Sequence, residues 1–136
     1  MKTMTAALLL AALAATSSAK SPDAQKPDPQ AEKELATALA GKVPGKPIDC
    51  VSTFRGNSLH AVGEHTILFR VSKKLVYRNE VLGSCGGFAG DALVVHIQSD
   101  QYCRGDIANM VDLTTGTWHG SCTLGQFVPY SAGGAG

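Results

Sequence analysis

The stretch Ile107-Ala108-Asn109-Met110-Val111-Asp112-Leu113, then Thr114-Thr115-Gly116, then Thr117-Trp118-His119-Gly120-Ser121-Cys122 reads as a β-hairpin. Two β-prone runs flank three turn-forming residues, too short a link for anything but antiparallel pairing. If the turn centres on Thr115, Cys122 lies opposite Ala108. Upstream, residues 59–62 and 66–71 are separated by Gly63 and Glu64 and form a second hairpin. Lys73 and Lys74 then make a turn before 75–78. Residues 48–54 place Ile48, Cys50, Ser52 and Phe54 on one face of a further strand. The nearly continuous apolar run 93–97 predicts a central strand, and 126–130 predicts an edge pairing. Short strands at close spacing with turn signals define a mainly β domain over 48–130, a small antiparallel β-barrel or sandwich.

A short helix over 30–41 precedes this domain. Asp28 is placed to cap it, and Pro29 occupies the first position, where a missing N–H costs nothing. Ala31, Leu35, Ala38 and Leu39 form one narrow apolar stripe, so the helix needs a surface to dock on. Gly41 ends it, and Pro44 and Pro47 prevent its resumption. Residues 20–29, with Pro22, Pro27 and Pro29, read as an extended linker, and the glycine-rich residues 131–136 as a disordered tail.

Residues 1–19 have the three-part layout of a secretory signal peptide: Lys2, an apolar run over 6–15, then Ser17 and Ala19 at the −3 and −1 positions of a cleavage site. The run is about half of the ~20 residues needed to span a bilayer. No twin arginine precedes it, and no cysteine follows for lipid attachment. Cleavage removes Lys2 from a chain with 12 basic and 11 acidic residues, leaving the charges balanced. That balance argues against nucleic acid or an anionic membrane as partner.

The four cysteines, Cys50, Cys85, Cys103 and Cys122, are even in number and belong to an exported chain, so a disulfide framework is expected. Their wide separations lack the Cys-x₂-Cys spacing of a zinc site. With Cys122 opposite Ala108, Cys103 is out of register with Cys122. Cys85 and Cys103 flank one excursion of chain. The expected pairs are therefore Cys85–Cys103 and Cys50–Cys122. A papain-like thiol is not indicated, because Leu82 stands where the earlier cysteine belongs and no Trp or Tyr follows Cys85.

The order Gly45-Lys46-Pro47-Ile48-Asp49-Cys50, Arg55-Gly56, Val76-Tyr77-Arg78-Asn79, Cys85, Tyr102-Cys103-Arg104-Gly105-Asp106 and Gly120-Ser121-Cys122-x-Leu124-Gly125-x-Phe127 resembles a set of small exported bacterial proteins described as a domain of unknown function. The resemblance runs from about Ala40 to Tyr130. It implies a bacterial envelope location and a shared fold, and brings no catalytic residue or ligand. Many members of that set are lipoproteins, whereas this chain has no lipobox cysteine.

Other candidate sites have plain structural readings. Arg104-Gly105-Asp106 spells an adhesion tripeptide, but its place after Cys103 and before a strand makes it a structural turn, with Gly105 at positive φ and Asp106 bonding nearby N–H groups. His60 and His65 could meet across the Gly63 hairpin beside Glu64, with His96 and His119 elsewhere; two histidines do not make a metal site. Asp91, Asp100, Asp106 and Asp112 could supply an acid/base pair, yet such aspartates are ordinary at strand ends. The loop Gly86-Gly87-Phe88-Ala89-Gly90 either turns the chain or admits a partner closely. Nucleophile elbow, P-loop, dinucleotide fingerprint and His-Glu-x-x-His are all missing from the sequence. The sequence thus predicts a periplasmic or secreted, non-enzymatic binding or structural module of the cell envelope, without catalytic residues, metal or cofactor. Its partner would be a protein or other envelope component. The alternatives are an inhibitor or modulator of another exported protein, and a small hydrolase.

Overall fold

The computed structural model describes residues 28–55, 58–86 and 91–132. The expected signal peptide and all but the last two residues of the expected linker lie outside them. Helix α1 (Pro29–Leu39) is followed by β1 (Lys42–Pro44), β2 (Cys50–Ser52), β3 (Ser58–Val62), β4 (Thr66–Arg70), β5 (Leu75–Glu80), β6 (Leu82–Ser84), β7 (Asp91–His96), β8 (Gln101–Cys103), β9 (Ile107–Asp112), β10 (Trp118–Thr123) and β11 (Phe127–Ala132). All strand pairs are antiparallel. One sheet has the order β1-β11-β5-β4-β3, a second β6-β10-β9-β7, and β2 pairs with β8 alone. Among the described residues the arrangement is sandwich-like and does not close into a barrel.

Residues 66–69 on β4 are all buried because both faces of the five-stranded sheet are covered. Ile67 and Phe69 face inward, where they join Tyr77, Phe127, Val51, Met110 and Leu124 in the main core. Leu68 faces outward with Val62 and Val76 against Ala31, Leu35, Ala38 and Leu39 of α1. The helical stripe thus finds its surface: Val62, Leu68 and Val76 are buried beneath it, worth roughly 1.5–3 kcal/mol each, and the partly buried helix side chains add less. Asp28 Oδ1 accepts a hydrogen bond from the Gln30 N–H at 2.9 Å, and Pro29 occupies the first turn. The helix ends at Leu39, two residues short of the expected limit, and Gly41 turns the chain at φ +69°.

In the β9–β10 hairpin Cys122 lies opposite Ala108 as expected, but the pairing shifts by one residue between His119 and Ser121, so that nearer the turn Trp118 faces Val111 and His119 faces Met110. The disulfides nevertheless differ from the expected pairs: they are Cys50–Cys103 and Cys85–Cys122, with Cα separations of 4.1 and 5.3 Å. Two pairings explain the exchange. Cys50 lies directly opposite Cys103 on β2 and β8. The other side of β10 pairs with β6, which sets Cys122 opposite Gly83 and brings the chain after Ser84 back beside it. The excursion from Cys85 to Cys103 therefore does not close on itself; it carries Cys103 to the first strand.

Four further expectations are corrected. The run 93–97 is not central: β7 is an edge strand, apolar because Leu93 and Val95 enter the core while Val94 lies on the outer face, 39% exposed. Conversely, β11 is not an edge, since β1 covers its free side through Lys42–Ala132, Val43–Ser131 and Pro44–Tyr130. The strand expected over 48–54 shortens to β2, because Thr53–Arg55 forms a 3₁₀ turn that leaves Phe54 83% exposed. Ser131 and Ala132, expected in a disordered tail, belong to β11, and residues 133–136 lie outside the described residues.

Candidate functional site

The two larger sheets each end in an edge strand at the same side of the molecule, β3 from one and β7 from the other. Between them, beneath the first turns of α1, lies a cleft of about 650 Å³. Leu59, Ala61, Leu93 and Met110 supply apolar lining, while Glu34, His60, Glu64, Asp91 and His119 supply polar groups. Such a mixture, apolar walls with a few convergent polar side chains, is the usual composition of a ligand site.

Each wall has a local cause. The Gly63 turn sits so close to the helix that a Cβ there would lie 3.0 Å from Ala31 Cβ, and its φ of +64° suits glycine. A Cβ on Gly86 would lie 2.7 Å from Glu64 Cγ, so glycine allows Glu64 to lie against the start of that loop. The Glu64 carbonyl accepts a hydrogen bond from the Cys85 N–H at 2.8 Å, tying this end of the cleft to the buried disulfide. On the rim, His60 Nε2 is 2.6 Å from Glu34 Oε1, which joins β3 to α1.

At the far end, Asp91, Asp112 and His119 converge. Asp91 and Asp112 are direct partners across β7 and β9, and His119 lies opposite Met110 on β10. Alternation places all three on the inner side of the four-stranded sheet, in line with Leu93 and Met110, where the core gives way to the cleft. One carboxylate oxygen from each aspartate and one imidazole nitrogen lie within 4.8 Å of one another, and all three residues are half-buried. Asp112 Oδ1 also accepts hydrogen bonds from the Thr114 and Thr115 N–H groups at 2.7 and 3.2 Å. Those bonds hold its carboxyl below the ordinary carboxylate range, with a smaller contribution from the charge of His119.

The sequence candidates fall elsewhere or take other roles. Gly105 has φ +95°, its N–H donates to the Leu124 carbonyl at 2.9 Å, and Asp106 Oδ2 accepts from the Cys103 N–H at 2.8 Å. His65 Nδ1 is 2.7 Å from the Gly83 carbonyl oxygen, so His65 and His60 hold different partners. His96 stacks on Trp118 with ring centroids 5.6 Å apart. Of the four aspartates singled out, the fold brings Asp91 and Asp112 together. All but the first residue of the Gly86–Gly90 loop lies outside the described residues. The contribution of His119 went unread because its neighbours depend on β7 pairing with β9, a contact across the sheet that no local pattern announces.

A second cleft, of about 700 Å³ and more open, lies on the other side of α1 and is lined in part by Lys33, Lys42, Arg70 and Lys73. Lys42 Nζ there donates to the Ala38 carbonyl at 3.0 Å and so ties β1 to the helix.

Fold and site together define a disulfide-stapled β-sandwich with a polar cleft at its open edge. No protein-family model matches the chain, and neither the search of curated proteins nor that of solved structures finds a significant match. No helix among the described residues is long and apolar enough to cross a membrane.

Proposed function

We propose that this chain is an exported, non-enzymatic binding module of the bacterial cell envelope, periplasmic or secreted, which holds its ligand in the cleft between β3 and β7. The cleft carries the reading: convergent carboxylates and imidazoles stand over apolar lining, at the open edge of a scaffold stapled by two disulfides. Disulfides persist in oxidising compartments, which agrees with the signal-like residues 1–19 and with the resemblance to small exported bacterial proteins. The cleft walls are strands, which position contacts more precisely than loops do, and their lining residues Leu59, Ala61 and Leu93 also pack against the core.

The compartment is tested by recovering the chain from a bacterial host and determining its N-terminus by mass spectrometry. The expected species begins at Lys20 and is found outside the cytoplasm. A dominant species that retains Met1 inside the cytoplasm contradicts export. Cross-linking from Glu64 tests the cleft.

A further inference from the structure

We propose that Asp91, Asp112 and His119 bind a single divalent transition-metal ion, zinc in type, at the end of the cleft; this rests on reading the cleft as the binding site. Three observations support it. The donor set combines two carboxylates with an imidazole, and their ligand atoms lie within 4.8 Å of one another. An ion bound at about 2.0–2.2 Å from each would draw them closer together. The imidazole separates this set from a purely acidic cluster: oxygen donors suit calcium and magnesium, whereas a nitrogen donor favours zinc and its neighbours.

Second, the two carboxylates are direct cross-strand partners on the inner face of the sheet. The same strands fill the next inward positions, Leu93 and Met110, with apolar side chains. A divalent cation at this point would be ligated from both strands at once.

Third, the site opens to a cleft. Asp91 and His119 line it, so the ion would present its remaining coordination positions to whatever the cleft holds. Asp112 is turned by its bonds to the Thr114 and Thr115 N–H groups, which fixes one ligand in place as outer hydrogen bonds commonly do in metal sites.

The test is calorimetric titration of the chelator-treated, disulfide-intact mature chain with zinc chloride, followed by thermal melts with and without zinc. One equivalent should bind, and the melting midpoint should rise with zinc. Asp91→Asn and His119→Gln should each weaken binding about tenfold or more, while His96→Gln should leave it unchanged. Calcium should bind more weakly than zinc. The metal proposal is overturned if zinc does not bind. It is also overturned if zinc binds equally well to Asp91→Asn and His119→Gln, or if calcium matches it. Asp91 and His119 are half-buried at the cleft, and circular dichroism of each variant without zinc verifies that it folds. A negative titration leaves the cleft itself standing, because the cross-link from Glu64 reads the ligand without reference to any metal.

Discussion

Replacing Cys85 and Cys122 together by alanine should lower the unfolding free energy by about 4 kcal/mol. The bond closes a loop of sequence separation 37, and the chain-entropy treatment assigns most of that figure to the greater freedom of the uncrosslinked unfolded state. Packing adds to it: Cys85 and Cys122 are only 1% and 2% exposed and belong to the main core with Ala108, Leu124 and Phe127. Truncation there leaves a cavity that the strands on either side cannot close. The Cys50–Cys103 bond spans a separation of 53, so its loop contribution is similar, but both cysteines are half-buried on the small β2–β8 pair and little core is lost with them. Denaturant melts of the two double variants should therefore both move to lower midpoints, with Cys85/Cys122 moving further. An unchanged midpoint for Cys85/Cys122 would contradict this view of the core.

Asn79→Ala should cost roughly 2–4 kcal/mol, a large effect for a side chain with no part in the cleft. Asn79 is fully buried. Its Nδ2 donates to the Gly125 carbonyl and its Oδ1 accepts from the Gly125 N–H, both at 2.8 Å. The amide therefore acts as a strand would, pairing both backbone groups of the connection between β10 and β11. Alanine removes two hydrogen bonds and strands two part-buried backbone groups of Gly125, and the unmade bonds, more than the lost contacts, set the cost. Gly125→Ala tests the same junction from the other side. A Cβ at that position would lie 2.2 Å from the Glu80 carbonyl oxygen, so β5 or the connection must move, and the variant should be at least as damaging. Urea unfolding followed by tryptophan fluorescence from Trp118 would measure both. Wild-type stability in Asn79→Ala would show that the Gly125 groups find other partners.

The parts of this fold written locally were legible. The Thr114-Thr115-Gly116 turn marked the β9–β10 hairpin, the Gly63 turn marked β3–β4, and Asp28 with Pro29 marked the start of α1. What failed depended on which strands become neighbours across long stretches of chain. Leu93 and Val95 are apolar because one face of β7 meets the core, and an apolar run of that length looks the same in an edge strand as in a central one. Val43 and Pro44 gave no sign of a strand because proline is a poor strand residue, yet at an edge its missing N–H is tolerated. The disulfides went wrong for the same reason. The register of Cys122 against Ala108 was right, but it describes one side of β10, and the partner cysteine arrives on the other side with β6. The candidate site followed suit: Asp91, Asp112 and His119 each looked ordinary in sequence, and only the β7-β9-β10 order turns them into a set.

The central claim, that the cleft between β3 and β7 is where this protein binds, is tested most directly by photo-cross-linking in living bacterial cells that express it. A photoreactive amino acid replaces Glu64, whose exposed side chain stands at the cleft, and in a second variant Val94, on the outer face of the four-stranded sheet. Irradiation should give a discrete adduct from position 64, identified by mass, and none from position 94. Adducts from position 94 with none from position 64 would place binding on the outer sheet face and contradict the account.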